Sequence, residues 1–222
     1  MLRCDVKEMK SVLSLLSALI LLAPLLGGCP GVIELKSKIA KAGPGKSTVA
    51  PVLYDDFEKG LAGSYSYGNT EGGASCAASE EATVVHGSGK AMKVSYKSGG
   101  GTWGCGSGWG SPYMPKEGYF NAKGTISLEF WAKAPRGASF VFSIKEAKAN
   151  GGDEELWLAP AATGTGAWKK YTIPYETFSR GIYSGNQSGD DHFETGSIGS
   201  IEVQISEKQG DGDLYVDDIY FK

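Results

Sequence analysis

The chain has 222 residues, of which 41% are hydrophobic and 11% aromatic, enough apolar material for one buried core of ordinary size. Its 22 Lys and Arg against 25 Asp and Glu give a formal charge of -3, which excludes the basic stripe of a nucleic-acid-binding domain and so a nucleic-acid partner. The only histidines are His86 and His192, neither in a G-x-S-x-G or H-E-x-x-H context, which excludes a His-rich metal centre.

Residues 11–28 form an uncharged apolar run preceded by Lys10 and followed by Cys29, the pattern of an export segment rather than of part of a fold. A membrane anchor is the rival reading, because about 18 apolar residues reach the lower limit for crossing a bilayer. Leu26-Gly27-Gly28-Cys29 resembles the bacterial lipobox, in which small residues admit the signal peptidase and the Cys thiol is acylated. That resemblance implies a signal peptide over 1–28 and a lipid on Cys29, while Asp5 and Glu8 in what should be a basic leader point to Met9 as the true start. It implies an exported protein of the bacterial cell envelope, held to an outer membrane or cell surface by acyl chains worth ~0.8 kcal/mol per buried methylene. Cys4 falls in the discarded segment, so Cys76 and Cys105 are left as one pair in an oxidising compartment, and a disulfide between them is expected. By chain entropy, closing that loop stabilises the fold by ~3–4 kcal/mol.

Residues 29–50 are Lys-rich with Pro and Gly and read as a tether. Ala40 to Ser47 fits a relaxed P-loop pattern, but Pro51 stops any helix within a turn of Ser47, so no dipole is aimed at a phosphate. The G-x-G-x-x-G at Gly99, Gly101 and Gly104 lies in a Gly-rich run with no helix pattern behind it.

From residue 51 the chain alternates short β-like runs with Gly-rich turns. Strands are predicted at 52–57, 82–85, 91–96, 125–133, 139–144, 155–158, 169–173, 200–206 and 214–221. No stretch keeps a 3.6-residue period beyond two turns, so the fold class is all-β, an antiparallel β-sandwich or jelly roll over 51–222. Ile126, Leu128, Phe130 and Ala132 alternate with Ser127, Glu129, Trp131 and Lys133, which makes one face of that strand core and the other wet. Trp131 falls on the polar face, and Trp157 falls between Leu156 and Leu158 on the alternate face. A flat aromatic among polar neighbours suits a sugar ring, apolar on its face and hydroxylated at its rim. Glu129, Lys133, Glu202 and Gln204 are the candidate hydrogen-bonding flank.

Five segments in order resemble a carbohydrate-binding module, closest to family 11 and its galactose-binding-like relatives. They are Tyr54-Asp55-Asp56-Phe57-Glu58, Gly87-Ser88-Gly89-Lys90-Ala91, Leu128-Glu129-Phe130-Trp131, Trp168 to Phe178, and Leu214-Tyr215-Val216-Asp217-Asp218-Ile219. The resemblance covers about 51–222. It implies a β-jelly roll that holds a β-glucan-type polysaccharide and a structural calcium near the chain ends, its carboxylates corresponding to Asp56, Glu58 and Asp217. Residues 98–120 and 181–197 are long and particular to this chain. They add Trp103, Trp109 and Tyr183 to the candidate sugar contacts.

Three functions compete. A non-catalytic, lipid-anchored glycan binder uses Trp131, Trp157 and the loop aromatics. A jelly-roll glycosidase or lyase needs two carboxylates across a cleft, for which Glu129 and Glu202 are candidates. A structural adaptor uses the fold without sugar. The first is the expectation, with no catalytic residue. Family modules are usually fused to a hydrolase and none is attached here, which favours capture, adhesion or an envelope role, with a separate glycoside hydrolase as a candidate partner.

Overall fold

A computed structural model describes residues 47, 49–61, 63–101, 103–115, 118–146, 155–185 and 191–222, the side chains of 182–185 excepted. They fall in one compact unit, Ala40–Lys222. The export segment, Cys29 and most of the tether lie outside the described residues.

Among the described residues, thirteen strands form two antiparallel sheets. They are β1 (Val52–Asp55), β2 (Tyr65–Gly68), β3 (Ser75–Glu81), β4 (Ala91–Lys97), β5 (Cys105–Trp109), β6 (Ser127–Lys133), β7 (Ser139–Glu146), β8 (Glu155–Leu158), β9 (Ala162–Thr163), β10 (Lys169–Pro174), β11 (Ser179–Gly185), β12 (Ile198–Ile205) and β13 (Asp211–Phe221). The first sheet has the order β10-β6-β13-β4-β3, with β1 also paired to β13; the second runs β11-β8-β7-β12-β5-β2, with β9 on β7. The helical content among the described residues is a single 3-10 turn, Tyr175–Thr177.

The expected all-β sandwich is therefore the fold, and alternation explains it. Leu128, Phe130 and Ala132 of β6 face Phe140, Phe142 and Ile144 of β7 and Ile201, Val203 and Ile205 of β12, all buried in one core. Phe130 stacks on Phe142 at 3.9 Å between ring centroids, joining the sheets at mid-height. Eight of the nine predicted strands recur, 155–158 with its ends unchanged and 52–57 stopping at Asp55, whereas 82–85 is a bend region. Cys76 of β3 and Cys105 of β5 form the expected disulfide, with Cα atoms 5.5 Å apart, which staples one sheet to the other.

Strands β2, β3, β5, β9 and β11 have no counterpart among the predicted ones. In Cys105-Gly106-Ser107-Gly108-Trp109 the alternation is present, but the outward positions are glycines, so the segment reads as loop from composition. The difference matters, because β2 and β5 carry the candidate site.

Candidate functional site

The outer face of the seven-stranded sheet is built in cross-strand rows. One row runs Tyr65, Gly108, Glu202, Ser143; the next runs Tyr67, Gly106, Gln204, Val141. Cys105, Ser107 and Trp109 take the opposite, core-facing side of β5, so nothing rises from that strand's outer surface. The two tyrosine rings occupy the vacated space: a Cβ on Gly108 would come within 2.4 Å of the Tyr65 ring, and one on Gly106 within 2.5 Å of the Tyr67 hydroxyl. Both rings lie down across the sheet, with planes 25° apart and centroids 6.4 Å apart. Trp103, 48% exposed, continues the strip 6.4 Å beyond Tyr67.

Polar groups border this strip. Tyr65 donates to Glu202 Oε1 and Tyr67 donates to Glu202 Oε2 at 3.0 Å. Lys145 Nζ lies 3.5 Å from Glu202 Oε1 and 5.6 Å from the centre of the Tyr65 ring. Burial, and then the Glu202 carboxylate, pushes the Tyr67 phenol well above its usual range, so it stays a donor at any physiological pH. Trp103, Tyr67, Val141, Gln204 and Glu207 line a cleft at the end of the strip. A row of apolar ring faces edged by amide, ammonium and carboxylate groups is the chemistry that holds a sugar chain by stacking and by its hydroxyl rim.

The fold distributes the sequence-predicted residues over three environments. Trp103 and Gln204 stand on this face. Trp131 and Glu129 stand on the outer face of the other sheet, where His86 stacks on Trp131 at 3.8 Å and Glu129 is held by Lys170 at 2.8 Å and Lys222 at 2.5 Å. Two residues are interior: Trp109 is fully buried beside Phe57, and Trp157 is 8% exposed against Phe193, because register pairs it with Ile144 on the core side. In β8 the tryptophan does take the face opposite to the leucines, but that face is the core. Tyr183 lies in β11, and its side chain is outside the described residues. Glu129 and Glu202, the candidate acid pair, are on opposite sheets and cannot flank one bond.

The family model for the carbohydrate binding domain (family 11) matches residues 40–221. The chain belongs to this family. A family 11 module from Clostridium thermocellum, solved in complex with a β-1,3-1,4-mixed-linked tetrasaccharide, is 23% identical with a TM-score of 0.62, covering 79% of this chain and 96% of that one. The family 11 module of the cellulosomal cellulase Lic26A-Cel5E of the same organism is 24% identical with a TM-score of 0.61, covering 79% and 95%. A family 30 module from a cellulosomal cellulase of that organism shares the fold at 14% identity and a TM-score of 0.56, covering 78% and 98%. No curated protein matches the chain. Family membership makes this a carbohydrate-binding, non-catalytic domain.

The three acids expected to hold calcium each accept hydrogen bonds from the protein, Asp217 from the N–H groups of His86 and Asp218. Asp56 accepts from the Tyr113 hydroxyl at 3.0 and 3.1 Å, and Glu58 accepts from the Lys90 N–H at 2.8 Å. Among the described residues no three His, Cys, Asp or Glu side chains gather as a metal cluster. Asp55 is also fully buried, with Oδ2 lacking any hydrogen-bond partner, and it feels the charge of Asp217. Burial, and then adjacent acids, pushes both the Asp55 and the Asp217 carboxyl up to about 7; Asp56 and Asp217 act on the first and Asp218 on the second. An orphaned carboxylate oxygen beside a second buried carboxylate fits a hard cation whose remaining ligands are backbone carbonyls.

Proposed function

We propose that this domain captures a β-glucan-type chain on the outer face of its seven-stranded sheet, with Tyr65, Tyr67 and Trp103 as successive stacking platforms. Gln204 and Lys145 serve the hydroxyl rim. The carrying observation is the flat placement of two tyrosine rings over Gly106 and Gly108, which turns a sheet surface into a continuous aromatic floor. The family relative bound to a mixed-linked β-glucan oligosaccharide supports the ligand class. Lipid on Cys29 ties the domain to the cell envelope, so that a captured polymer is kept near the surface and near any separate hydrolase acting on it. A calcium ion at Asp55 and Asp217 would neutralise two buried carboxylates and tie β1 to β13.

The test is affinity electrophoresis through gels containing β-glucan, xylan or mannan. Retardation by β-glucan is expected, abolished in Tyr65→Ala/Tyr67→Ala, reduced in Trp103→Ala and unchanged in Trp131→Ala. Retardation that survives the tyrosine pair and is lost with Trp131 would move the site to the other sheet. Anchoring is tested separately: fatty-acid labelling is expected in the wild-type chain and absent from Cys29→Ser.

A further inference from the structure

Two phenols converging on one carboxylate is more than the platform itself needs. A tyrosine standing on an open sheet face has several staggered positions for its ring, and over a glycine nothing beneath restricts it. Tyr65 is 38% exposed, yet its hydroxyl is tied to Glu202 Oε1, and the half-buried Tyr67 is tied at 3.0 Å to Glu202 Oε2. Glu202 is 4% exposed and lies beneath the outer ends of both rings, one strand inward from the glycines they cover.

We infer that Glu202 is a positioning residue for glycan binding: it pins both tyrosine rings flat across β5, so that the floor exists before the sugar arrives. The inference rests on the proposed function and deepens it. A mobile ring has to be immobilised by its ligand at an entropic cost, and Glu202 removes that cost in advance.

The experiment is a thermodynamic cycle in the full chain. Affinity for a β-1,3-1,4-mixed-linked tetrasaccharide is measured by calorimetry for wild type, Glu202→Gln, Tyr65→Phe/Tyr67→Phe and the triple variant, alongside unfolding midpoints. Glu202→Gln and the phenylalanine pair are each expected to weaken binding about five- to tenfold. The triple variant should be no weaker than either, because all three remove the same restraint. In ligand-free protein labelled with 3-fluorotyrosine, Glu202→Gln should shift and broaden the resonances that disappear in Tyr65→Phe and Tyr67→Phe. Additive losses in the triple variant, or fluorine resonances unmoved by Glu202→Gln, overturn the inference while leaving the platform intact. Unchanged affinity in Tyr65→Ala/Tyr67→Ala would overturn the platform reading itself, and the role of Glu202 with it.

Discussion

Gly108 is where a missing side chain makes room for function. The Tyr65 ring fills the space a Cβ would take, so Gly108→Ala must lift the ring. That variant is expected to lose about tenfold or more in glycan affinity with little change in fold, since the ring's new space is solvent; calorimetry with paired thermal melts checks this. Trp109 provides the contrast on the same strand. Fully buried between the sheets, it is expected to cost about 3–5 kcal/mol when truncated to Ala, read by denaturant titration. Sequence alone marks both tryptophans of the 98–120 segment as candidate contacts. Only the register of β5 against β12, which pairs Trp109 with Ile201, separates the core residue from its exposed neighbour Trp103.

At the level of strands, the end of β7 and the start of β8 bring Glu146 and Glu155 together near the edge of the core. Burial, reinforced by Glu155, pushes the Glu146 carboxyl from 4.5 up to about 7. The folded state therefore holds this proton more tightly than the unfolded chain does. Its stabilisation is fully present below pH 4.5 and is lost as pH rises to about 7. Allowing for partial solvent screening, the loss is on the order of 1–2 kcal/mol. Glu146→Gln is expected to flatten the stability profile between those limits, measured by denaturant melts across pH. The disulfide between β3 and β5 acts on stability at the same scale. Cys76→Ser/Cys105→Ser is expected to cost about 2–4 kcal/mol, with the larger consequence at the sugar floor, because Cys105 immediately precedes Gly106. Strand periodicity is legible in the sequence wherever both alternating positions carry side chains, as in β6, β7, β12 and β13. It is silent in β2 and β5, where glycine and serine blur the contrast between an apolar and a polar face.

Across the whole molecule, the buried acids near the chain ends couple folding to solution conditions. Asp55 and Asp217 are both raised from 3.8 to about 7, so without a cation their burial destabilises the fold progressively as pH rises through that interval. A calcium ion would take the place of the lost protons. Adding calcium to metal-free protein is expected to raise the unfolding temperature by about 5 °C or more at pH 8 and by less than about 2 °C at pH 5; Asp55→Asn should abolish the gain and Asp56→Asn should not. Equal responses at the two pH values, or a gain lost with Asp56 alone, would return the site to the expected set.

Composition, alternation and five short motifs were sufficient for the sandwich class, the family and the disulfide, because these depend on local pattern and on cysteine count, which a linear chain carries in full. They also supplied the principle that aromatics among polar neighbours bind sugar. Which aromatics line a sheet face was decided by tertiary structure alone. Trp131 and Trp157 look equivalent in sequence, yet one lies outside the first sheet and the other inside the core. Tyr65 and Tyr67, inconspicuous in a Gly- and Ser-rich stretch, become a platform only when β2 pairs with β5 and the two glycines let their rings lie flat. Sidedness is a property of register between distant strands, set by long-range packing, and no local window of the sequence contains it.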